Sequence, residues 1–345
     1  MFDVTLSEAK GLVVRLRTGS AKGLVCRITR FFAEFTLSGS EGLRVTRLST
    51  RRILGQAPSS KGDAARMAMR FCGHTMGAPN YDALQAMRLF KDIGCDGIEF
   101  RCAKDGHIDT ETVSPDRVKE IAAAARDIGI QVACLTPYYQ DYVRPEARPR
   151  SIAGMKRAVE AAANLSCPLV RAYGGILPPA GFSRETAWEA AVSGVREIGR
   201  FASPLGVSLA VENHIGTLTM SAAETVQFVR EVGLANVGVL FDYAWVYVAG
   251  KESASRAVEI TRPCLLHAHV KDWIFPGPTM DKRQACLMGE GEIDWRTVLL
   301  LLDQTGYSGY LCIEYEKHWA PSLPDASIGM LQYLQTMKEY LRART

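Results

Sequence analysis

Two histidines and a lysine occupy every second position of the apolar run LLHAHVKDW, residues 265–273. Side chains two residues apart in a strand point to the same side, so His267, His269 and Lys271 would share one face. Three other apolar runs end in acidic or imidazole side chains, namely Glu212 and His214 in VENH, Asp242 in LFDYA, and Glu314 and Glu316 in IEYE. Carboxylates and imidazoles bind metal ions and transfer protons, which is the chemistry that these runs would support if they converged.

These runs belong to a repeating pattern of a short apolar segment, a turn and a longer segment with helical spacing. Eight such runs follow one another from Met69, over residues 70–75, 97–102, 131–139, 169–175, 208–214, 237–244, 265–273 and 310–316. Alternating strands and helices predict parallel pairing, and eight units match a closed (β/α)8 TIM barrel of the α/β class over residues 67–345. An open doubly wound sheet is the alternative, but GHTMGAPN after the first run is not the GxGxxG loop expected there.

Cap residues predict where two of the connecting helices begin and end. In NYDALQAMRLFKDIG, Asn80 is a candidate N-cap and Gly94 is a stop signal. In SAAETVQFVREVG, Ser221 followed three residues later by Glu224 predicts a capping box.

The barrel fold decides whether the polar strand ends can act together. In a TIM barrel the C-terminal strand ends surround the active site. Each polar residue alone has an ordinary structural explanation, since strand-end acids also cap helices or form ion pairs, and core histidines form hydrogen bonds. Three carboxylates and one imidazole converging on one pocket would repel one another unless a cation lay between them. Such oxygen-rich ligation suits Mn²⁺, Mg²⁺ or Co²⁺, with Zn²⁺ less favoured.

Composition and charge exclude several classes of protein. The 345 residues are 47% hydrophobic and 23% charged, as in a globular protein with a sizeable core, and no apolar run approaches a membrane span. The nine cysteines form no CxxC pair, which argues against disulfides or a zinc knuckle and favours a reducing, cytoplasmic location.

Residues 1–66 carry 12 basic and 5 acidic side chains, a balance of +7, whereas the rest carries 29 basic and 32 acidic side chains, a balance of −3. This mildly acidic remainder argues against a nucleic-acid partner.

Residues 1–66 differ in character from the rest of the chain. They are basic, rich in turn-forming residues, and contain the approximate repeat AKGLVVRLR and AKGLVCRIT. We expect a disordered or weakly ordered N-terminal extension. Three explanations stay open: a targeting segment, upstream sequence before a native start at Met67 or Met69, and a small ordered appendage or oligomerisation arm.

From about Met69 onward the chain resembles the xylose isomerase-like TIM barrels, the sugar phosphate isomerase/epimerase superfamily. The resemblance rests on VENH, LFD, HAHVKD, GEGEIDW and GYSGYLCIEYE, which occur in the family's order and spacing. Their combination is specific for the superfamily, whereas any one of them is not. The superfamily includes ketose 3-epimerases, inosose dehydratases and endonuclease IV.

The resemblance implies a ligand set and a reaction. One divalent metal ion, with Mn²⁺ favoured over Mg²⁺, Co²⁺ or Zn²⁺, would be held by Glu212, Asp242, His269 and Glu314. Glu212 and Glu314 would also transfer protons, one on each face of a sugar or polyol, next to a metal-bound ketone that becomes an enediolate. The implied activity is that of a metal-dependent isomerase or epimerase of carbohydrate metabolism. Glu316 is an alternative to Glu314, and His267 is expected deeper in the barrel.

Five further residues are candidate substrate contacts, namely His214, Lys271, Arg171, Trp245 and Glu292. Two of them have an alternative as ion-pair partners: Lys271 could pair with Asp272 or Asp242, and Arg171 could pair with Glu212. These alternatives stay open at the level of sequence.

Two other candidates, His214 and Glu292, could instead have a structural role at the barrel mouth. His214 could brace the mouth, and Glu292 is expected to orient the loop after the seventh strand through hydrogen bonds. Glu99 and Arg101, in GIEFRC, are expected to pair with neighbouring strands.

One position departs from the family pattern. Many of the family's isomerases and epimerases carry a histidine three residues after the aspartate of the sixth strand, where DYAW places Trp245. A flat apolar contact replaces a polar one. A lyase therefore stays open as the alternative, either a dehydratase of a keto-inositol or the catalytic subunit of a C-glycoside deglycosidase acting on a 3-keto glycoside.

Two other classes of function fit the residues less well. An abasic-site endonuclease needs three metals and additional histidines, and this chain has only six histidines. A binding barrel without activity would be expected to lack one of the four ligands. The expected partner is therefore a small sugar or polyol, with no nucleic acid and no membrane. Homo-oligomers stay open by analogy with relatives that form dimers or tetramers.

Overall fold

The structure, a computed structural model, describes residues 2–6, 12–16, 32–37, 43–49, 69–277 and 282–343. The chain divides into two compact units, Met1–Lys61 and Gly62–Thr345. In the first unit, four strands form two antiparallel pairs, β1 (Phe2–Leu6) with β2 (Leu12–Leu16) and β3 (Phe32–Leu37) with β4 (Leu43–Ser49). The expectation of a disordered or weakly ordered extension concerns a segment that lies largely outside the described residues.

Eight parallel strands of the second unit form a closed barrel. In chain order they are β5 (Arg70–His74), β6 (Gly97–Cys102), β7 (Gln131–Pro137), β8 (Leu169–Tyr173), β9 (Ser208–Glu212), β10 (Val237–Asp242), β11 (Leu265–Val270) and, after a short hairpin, β14 (Tyr310–Ile313). The hairpin pairs β12 (Trp273–Ile274) with β13 (Gln284–Ala285). Each barrel strand lies within one of the eight runs predicted from sequence, and β14 pairs with β5 to close the ring. The predicted TIM barrel is therefore confirmed, and the open doubly wound sheet is wrong.

Helices follow the strands on the outside of the barrel, and all except the last connect one barrel strand to the next. They are α1 (Ala83–Ile93), α2 (Pro115–Ile128), α3 (Arg148–Asn164), α4 (Arg184–Ala202), α5 (Ala222–Val232), α6 (Tyr243–Ala249), α7 (Ala254–Thr261), α8 (Trp295–Gln304) and α9 (Ala326–Arg342). No helix in the described parts of the chain is both long enough and apolar enough to cross a membrane.

The helix caps confirm one sequence prediction and correct another. Ser221 accepts from the backbone N–H of Glu224, whose side chain bonds back to the cap, so the predicted capping box is present. Helix α1 begins at Ala83, and its N-cap is Asp82 rather than Asn80. Asp82 precedes the first helical residue directly and forms a capping box with Gln85, which Asn80 is too far upstream to do. Gly94 ends α1 with φ of 97°, a left-handed conformation that glycine adopts without strain.

Alternation along the strands separates the core from the barrel interior. In β6, Ile98, Phe100 and Cys102 belong to the main hydrophobic core, so the alternate residues Glu99 and Arg101 face the interior. The same period places Cys312 of β14 inside, because Leu311 and Ile313 belong to that core. The interior of the barrel is thus lined by titratable side chains as well as apolar ones.

Candidate active site

Four neighbouring strands deliver one metal-binding side chain each to the C-terminal end of the barrel. Their ligand atoms all lie within 4.8 Å of one another, and all four side chains are buried: Glu212, Asp242, His269 and Glu314. Glu212 and Asp242 are the last residues of β9 and β10, and Glu314 directly follows β14. We call these four residues the carboxylate set. The structure thus brings together the ligands that the family resemblance implies.

The hydrogen bonding of the carboxylate set fits a divalent cation. Glu212 Oε1, Asp242 Oδ2 and His269 Nδ1 are buried, and none has a hydrogen-bond partner in the described part of the chain. Leaving buried polar atoms without hydrogen bonds is unfavourable, and a cation bound at this point would satisfy all three atoms. Three carboxylates and one imidazole are donors that Mn²⁺, Mg²⁺ and Co²⁺ accept.

Glu99, from β6 on the far side of β14 and β5, orients the imidazole of the carboxylate set. Glu99 Oε1 lies 2.8 Å from His269 Nε2, a distance at which the ring nitrogen donates to the carboxylate. His269 Nδ1 then faces the set, 3.1 Å from Glu314 Oε2 and 3.4 Å from Glu212 Oε1. Burial alone would lower the pKa of His269, but Glu99 and Glu314 raise it well above the usual range. A cation at Nδ1 would therefore displace a proton.

Two buried cationic side chains compensate part of the negative charge. Lys271 Nζ donates to Glu314 Oε2 at 2.6 Å and lies 2.7 Å from Asp242 Oδ2, at an angle outside hydrogen-bond geometry. Arg171 Nη1 donates to Glu212 Oε2 at 3.1 Å. The pairs Lys271–Asp242 and Arg171–Glu212 are the two alternatives that the sequence had left open.

These charges and the burial set the pKa values of the carboxyls. Burial raises the pKa of Asp242 to about 7, although Lys271 opposes the rise. Burial would also raise the pKa of Glu212, but Arg171 and His269 bring it down to about 2. Neighbouring carboxyls of the set thus differ widely in their affinity for a proton.

A cavity of about 940 Å³ opens beside the carboxylate set. Its walls combine charged and aromatic side chains, among them Arg171, His214, Trp245, Lys271, Glu314 and Glu316, with Tyr138, Tyr173 and Trp319. Four of the five predicted substrate contacts therefore line one cavity. Glu292 does not; it is exposed, and its Oε1 accepts from the backbone N–H of Phe275 at 2.8 Å, so it orients the loop after β11.

Aromatic rings hold the polar groups of the cavity in place. The Arg171 guanidinium lies between the rings of Tyr138 and Tyr173, at 4.6 and 4.4 Å from their centroids. The Trp245 and His214 rings lie 4.7 Å apart, and Lys271 Nζ lies 4.9 Å from the Trp245 centroid. Such contacts fix long cationic side chains at little further entropic cost and leave flat surfaces facing the cavity.

Glu316 is half-buried beside the cavity, and its position differs from that of Glu314. It accepts from Trp273 Nε1 at 2.5 Å. The group of four mutually close ligand atoms contains Glu314 and not Glu316. The geometry therefore favours Glu314 as the donor from this strand.

Glu99 is the residue that sequence reasoning missed. We expected it to pair with a neighbouring strand, but it lies at the centre of three histidines, with its oxygens 2.6 Å from His267 Nε2, 2.8 Å from His269 Nε2 and 3.7 Å from His74 Nε2. His267 contacts Glu99 and stands outside the carboxylate set. Arg101 pairs with Asp105 at 2.8 Å. A carboxylate in the middle of a strand whose residues are all buried was the available signal.

Comparison with known proteins places the barrel in a family. Residues 87–337, more than half of the chain, match the family described as xylose isomerase-like TIM barrel. An inosose dehydratase of Klebsiella pneumoniae (strain 342) is 28% identical over 174 residues, which are 46% of this chain and 55% of that protein. The chain spans about half the length of the curated relatives it matches.

Solved structures show the same fold. A D-psicose 3-epimerase in the presence of D-fructose has a TM-score of 0.65 and 20% identity, covering 79% of this chain and 99% of that one. A 3-keto-D-glucoside 4-epimerase from E. coli has a TM-score of 0.64 and 18% identity, with coverage of 79% and 99%. The resemblance seen in the sequence is therefore confirmed, and this chain belongs to the xylose isomerase-like TIM barrel family.

Proposed function

We propose that this chain is a divalent-metal-dependent enzyme that isomerises or epimerises a keto sugar or a related polyol. The observation that carries the proposal is the carboxylate set, four buried ligand atoms within 4.8 Å of one another, three of them without a hydrogen-bond partner in the described part of the chain. The set lies beside a cavity of about 940 Å³, large enough for a sugar. Mn²⁺ is the ion that we favour.

The metal ion and the protein would have separate tasks. A divalent cation held by the carboxylate set would act as a Lewis acid towards a substrate ketone and make the neighbouring carbon-bound proton more acidic. Glu314, which lines the cavity, would remove that proton, and Glu212 would return one on the other face of the substrate. Lys271 would stabilise developing negative charge, because its buried ammonium group lies beside Glu314 and its side chain lines the cavity.

Two unpaired donors would position the substrate. Arg171 Nε and Trp245 Nε1 are buried and lack a hydrogen-bond partner among the described residues, and both side chains line the cavity. N–H groups of this kind bind hydroxyl or carbonyl oxygens, which a sugar presents in number. His214, whose ring lies against Trp245, would complete this wall.

A dehydratase or another lyase is the second candidate, and two observations favour it. Curated relatives such as those of two Klebsiella pneumoniae strains are inosose dehydratases, and Trp245 stands where many of the family's isomerases have a histidine. An elimination would begin with the same proton abstraction beside a ketone, and would end with the loss of water or an aglycone instead of reprotonation at carbon.

The deciding experiment is incubation of the Mn²⁺-loaded protein in D₂O with keto sugars, keto-inositols and 3-keto glycosides. Deuterium at the carbon next to the ketone, without loss of water or aglycone, is the expected result for an isomerase or epimerase. Release of either group would select the lyase. Turnover that persists after complete removal of divalent metal would contradict the proposal.

A further inference from the structure

A second group of metal-binding side chains lies inside the barrel, outside the carboxylate set. The ligand atoms of this group also lie within 4.8 Å of one another, and all four side chains are buried: Cys72, Glu99, His267 and Cys312. We call these residues the thiol cluster. The proposed function uses neither thiol.

The closure of the barrel explains why these residues meet. Strands β11, β14, β5 and β6 are consecutive in the ring, and each contributes one inward side chain. Cys72 and Cys312 are direct partners in the register between β5 and β14. Both thiols therefore point into the interior at the same height.

The donor types are unusual for a barrel interior, which is normally filled by branched aliphatic side chains. Two thiols, an imidazole and a carboxylate are ligands of tetrahedral Zn²⁺ sites, and sulfur donors discriminate against Mg²⁺ and Mn²⁺. Burial alone would raise the pKa of Cys72, but hydrogen bonds from Cys312 and His267 lower it. Burial and the neighbouring Cys72 raise the pKa of the Cys312 thiol well above its usual range. Metal binding at this place would therefore have to displace the Cys312 proton.

A separate cavity lies beside His267 of the thiol cluster. It has a volume of about 680 Å³ and lies at the opposite end of the barrel, because the first residues of several strands line it, Arg70, Gln131, Leu169, Ser208 and Tyr310. His267 is the member of the cluster that lines this cavity, and Tyr310 belongs with both thiols to one group of buried side chains. The cavity therefore approaches the cluster from the end of the barrel opposite to the carboxylate set.

We propose that Cys72, Cys312, His267 and Glu99 bind a second divalent metal ion of the zinc type, coordinated by thiolate. Binding would break the 2.6 Å contact between Glu99 and His267 Nε2 and release the protons of both thiols and of the imidazolium. Glu99 would keep its other oxygen on His269. Glu99 would then contact both metal sites. The sulfur donors would lie on its side towards the N-terminal strand ends, and the oxygen donors would lie on its side towards the C-terminal strand ends.

Cobalt binding to the full chain, purified under reducing conditions, tests this site. After loading with Co²⁺ and removal of the excess, we expect two ions per chain and the intense near-ultraviolet absorption of sulfur-to-cobalt charge transfer. Cys72→Ser and Cys312→Ser should each lose that absorption and one cobalt ion. Cys134→Ser is the matched control, since Cys134 is fully buried and stands outside the cluster, and it should keep both.

A second variant separates this proposal from the proposed function. Asp242→Asn should lose the cobalt ion of the carboxylate set and keep the sulfur absorption. Zinc-loaded Asp242→Asn should show sulfur scatterers at about 2.3 Å in X-ray absorption, a result that needs no cysteine variant to fold. A wild-type spectrum without the sulfur band, sulfur absent from the zinc shell, or a Cys72–Cys312 disulfide in the reduced protein would overturn the proposal.

Discussion

The barrel interior holds two groups of four titratable side chains, and they differ in chemistry although Glu99 links them. The carboxylate set offers oxygen donors beside a cavity of about 940 Å³, whereas the thiol cluster offers sulfur donors near a cavity of about 680 Å³. His267 and His269 lie two residues apart on the same face of β11, yet each belongs to a different group. The position of each histidine along the barrel axis therefore determines which group of ligands it joins.

The largest expected effect is a loss of turnover when a residue of the carboxylate set, and not one of the thiol cluster, is changed. Glu314→Gln should lower kcat about 10³-fold, because it removes the proposed base, whose proton transfer is worth 10²- to 10⁴-fold. Circular dichroism and substrate affinity should stay close to those of the wild type. Cys312→Ser, two residues earlier on the same strand, should keep most of the turnover.

Glu316→Gln is the matched control for this comparison, because Glu316 lines the same cavity. We expect it to retain most of the activity. If Glu316→Gln were as damaging as Glu314→Gln, the proton-transfer role would belong to Glu316 or to both residues.

The next effect concerns stability. Lys271→Met should lower the free energy of unfolding of the metal-free protein by about 3 kcal/mol, because it leaves Asp242 and Glu314 buried without their cation. Urea unfolding measures this loss, and Mn²⁺ should restore much of it by binding the folded state. Lys119→Met, in the exposed pair with Asp116, should have little effect. Equal stability of wild type and Lys271→Met without metal would refute the role assigned to Lys271.

Glu99→Gln tests the link between the two groups. The Mn²⁺ affinity of the carboxylate set should fall about tenfold, since residues that orient a ligand histidine typically contribute 10- to 100-fold. Isothermal titration calorimetry provides the measurement. Cys72→Ser, which alters the thiol cluster alone, should leave that affinity unchanged. An unaltered affinity in Glu99→Gln would show that His269 needs no such support.

The smallest effect is expected at the rim. Glu292→Ala should lower the free energy of unfolding by at most about 1 kcal/mol, because it removes one exposed hydrogen bond to Phe275. Turnover should remain near that of the wild type. A large fall in kcat/KM would instead restore Glu292 as the substrate contact that the sequence suggested.

The sequence predicted the elements of the barrel because their patterns are local. All eight runs contain the strands, and Ser221 with Glu224 caps α5 as expected. Asn80 failed as a cap because it lies two positions before Asp82, the residue that directly precedes α1. Distinguishing Asn80 from Asp82 requires the backbone dihedral angles, and composition does not provide them.

The site was predictable only in part, for a related reason. Glu212, Asp242, His269 and Glu314 stand at strand ends that a barrel must bring together. The link from His269 to Glu99 crosses two intervening strands of the ring, and the pairing of Cys72 with Cys312 depends on the register at which the first and last strands close. Contacts of this kind depend on ring geometry, which no local pattern encodes.

The seam between β5 and β14 has a consequence for synthesis of the chain. Strand β5 is the first of the barrel to leave the ribosome, and its partner on one side is the last, Tyr310–Ile313. Until that segment emerges, β5 keeps an unpaired edge of the kind that recruits other chains. Every intermediate made before then is an open sheet, and both groups of ligands stay incomplete, since each takes one member from the region of β14. Binding of a metal ion at either proposed site would therefore require completion of the ring.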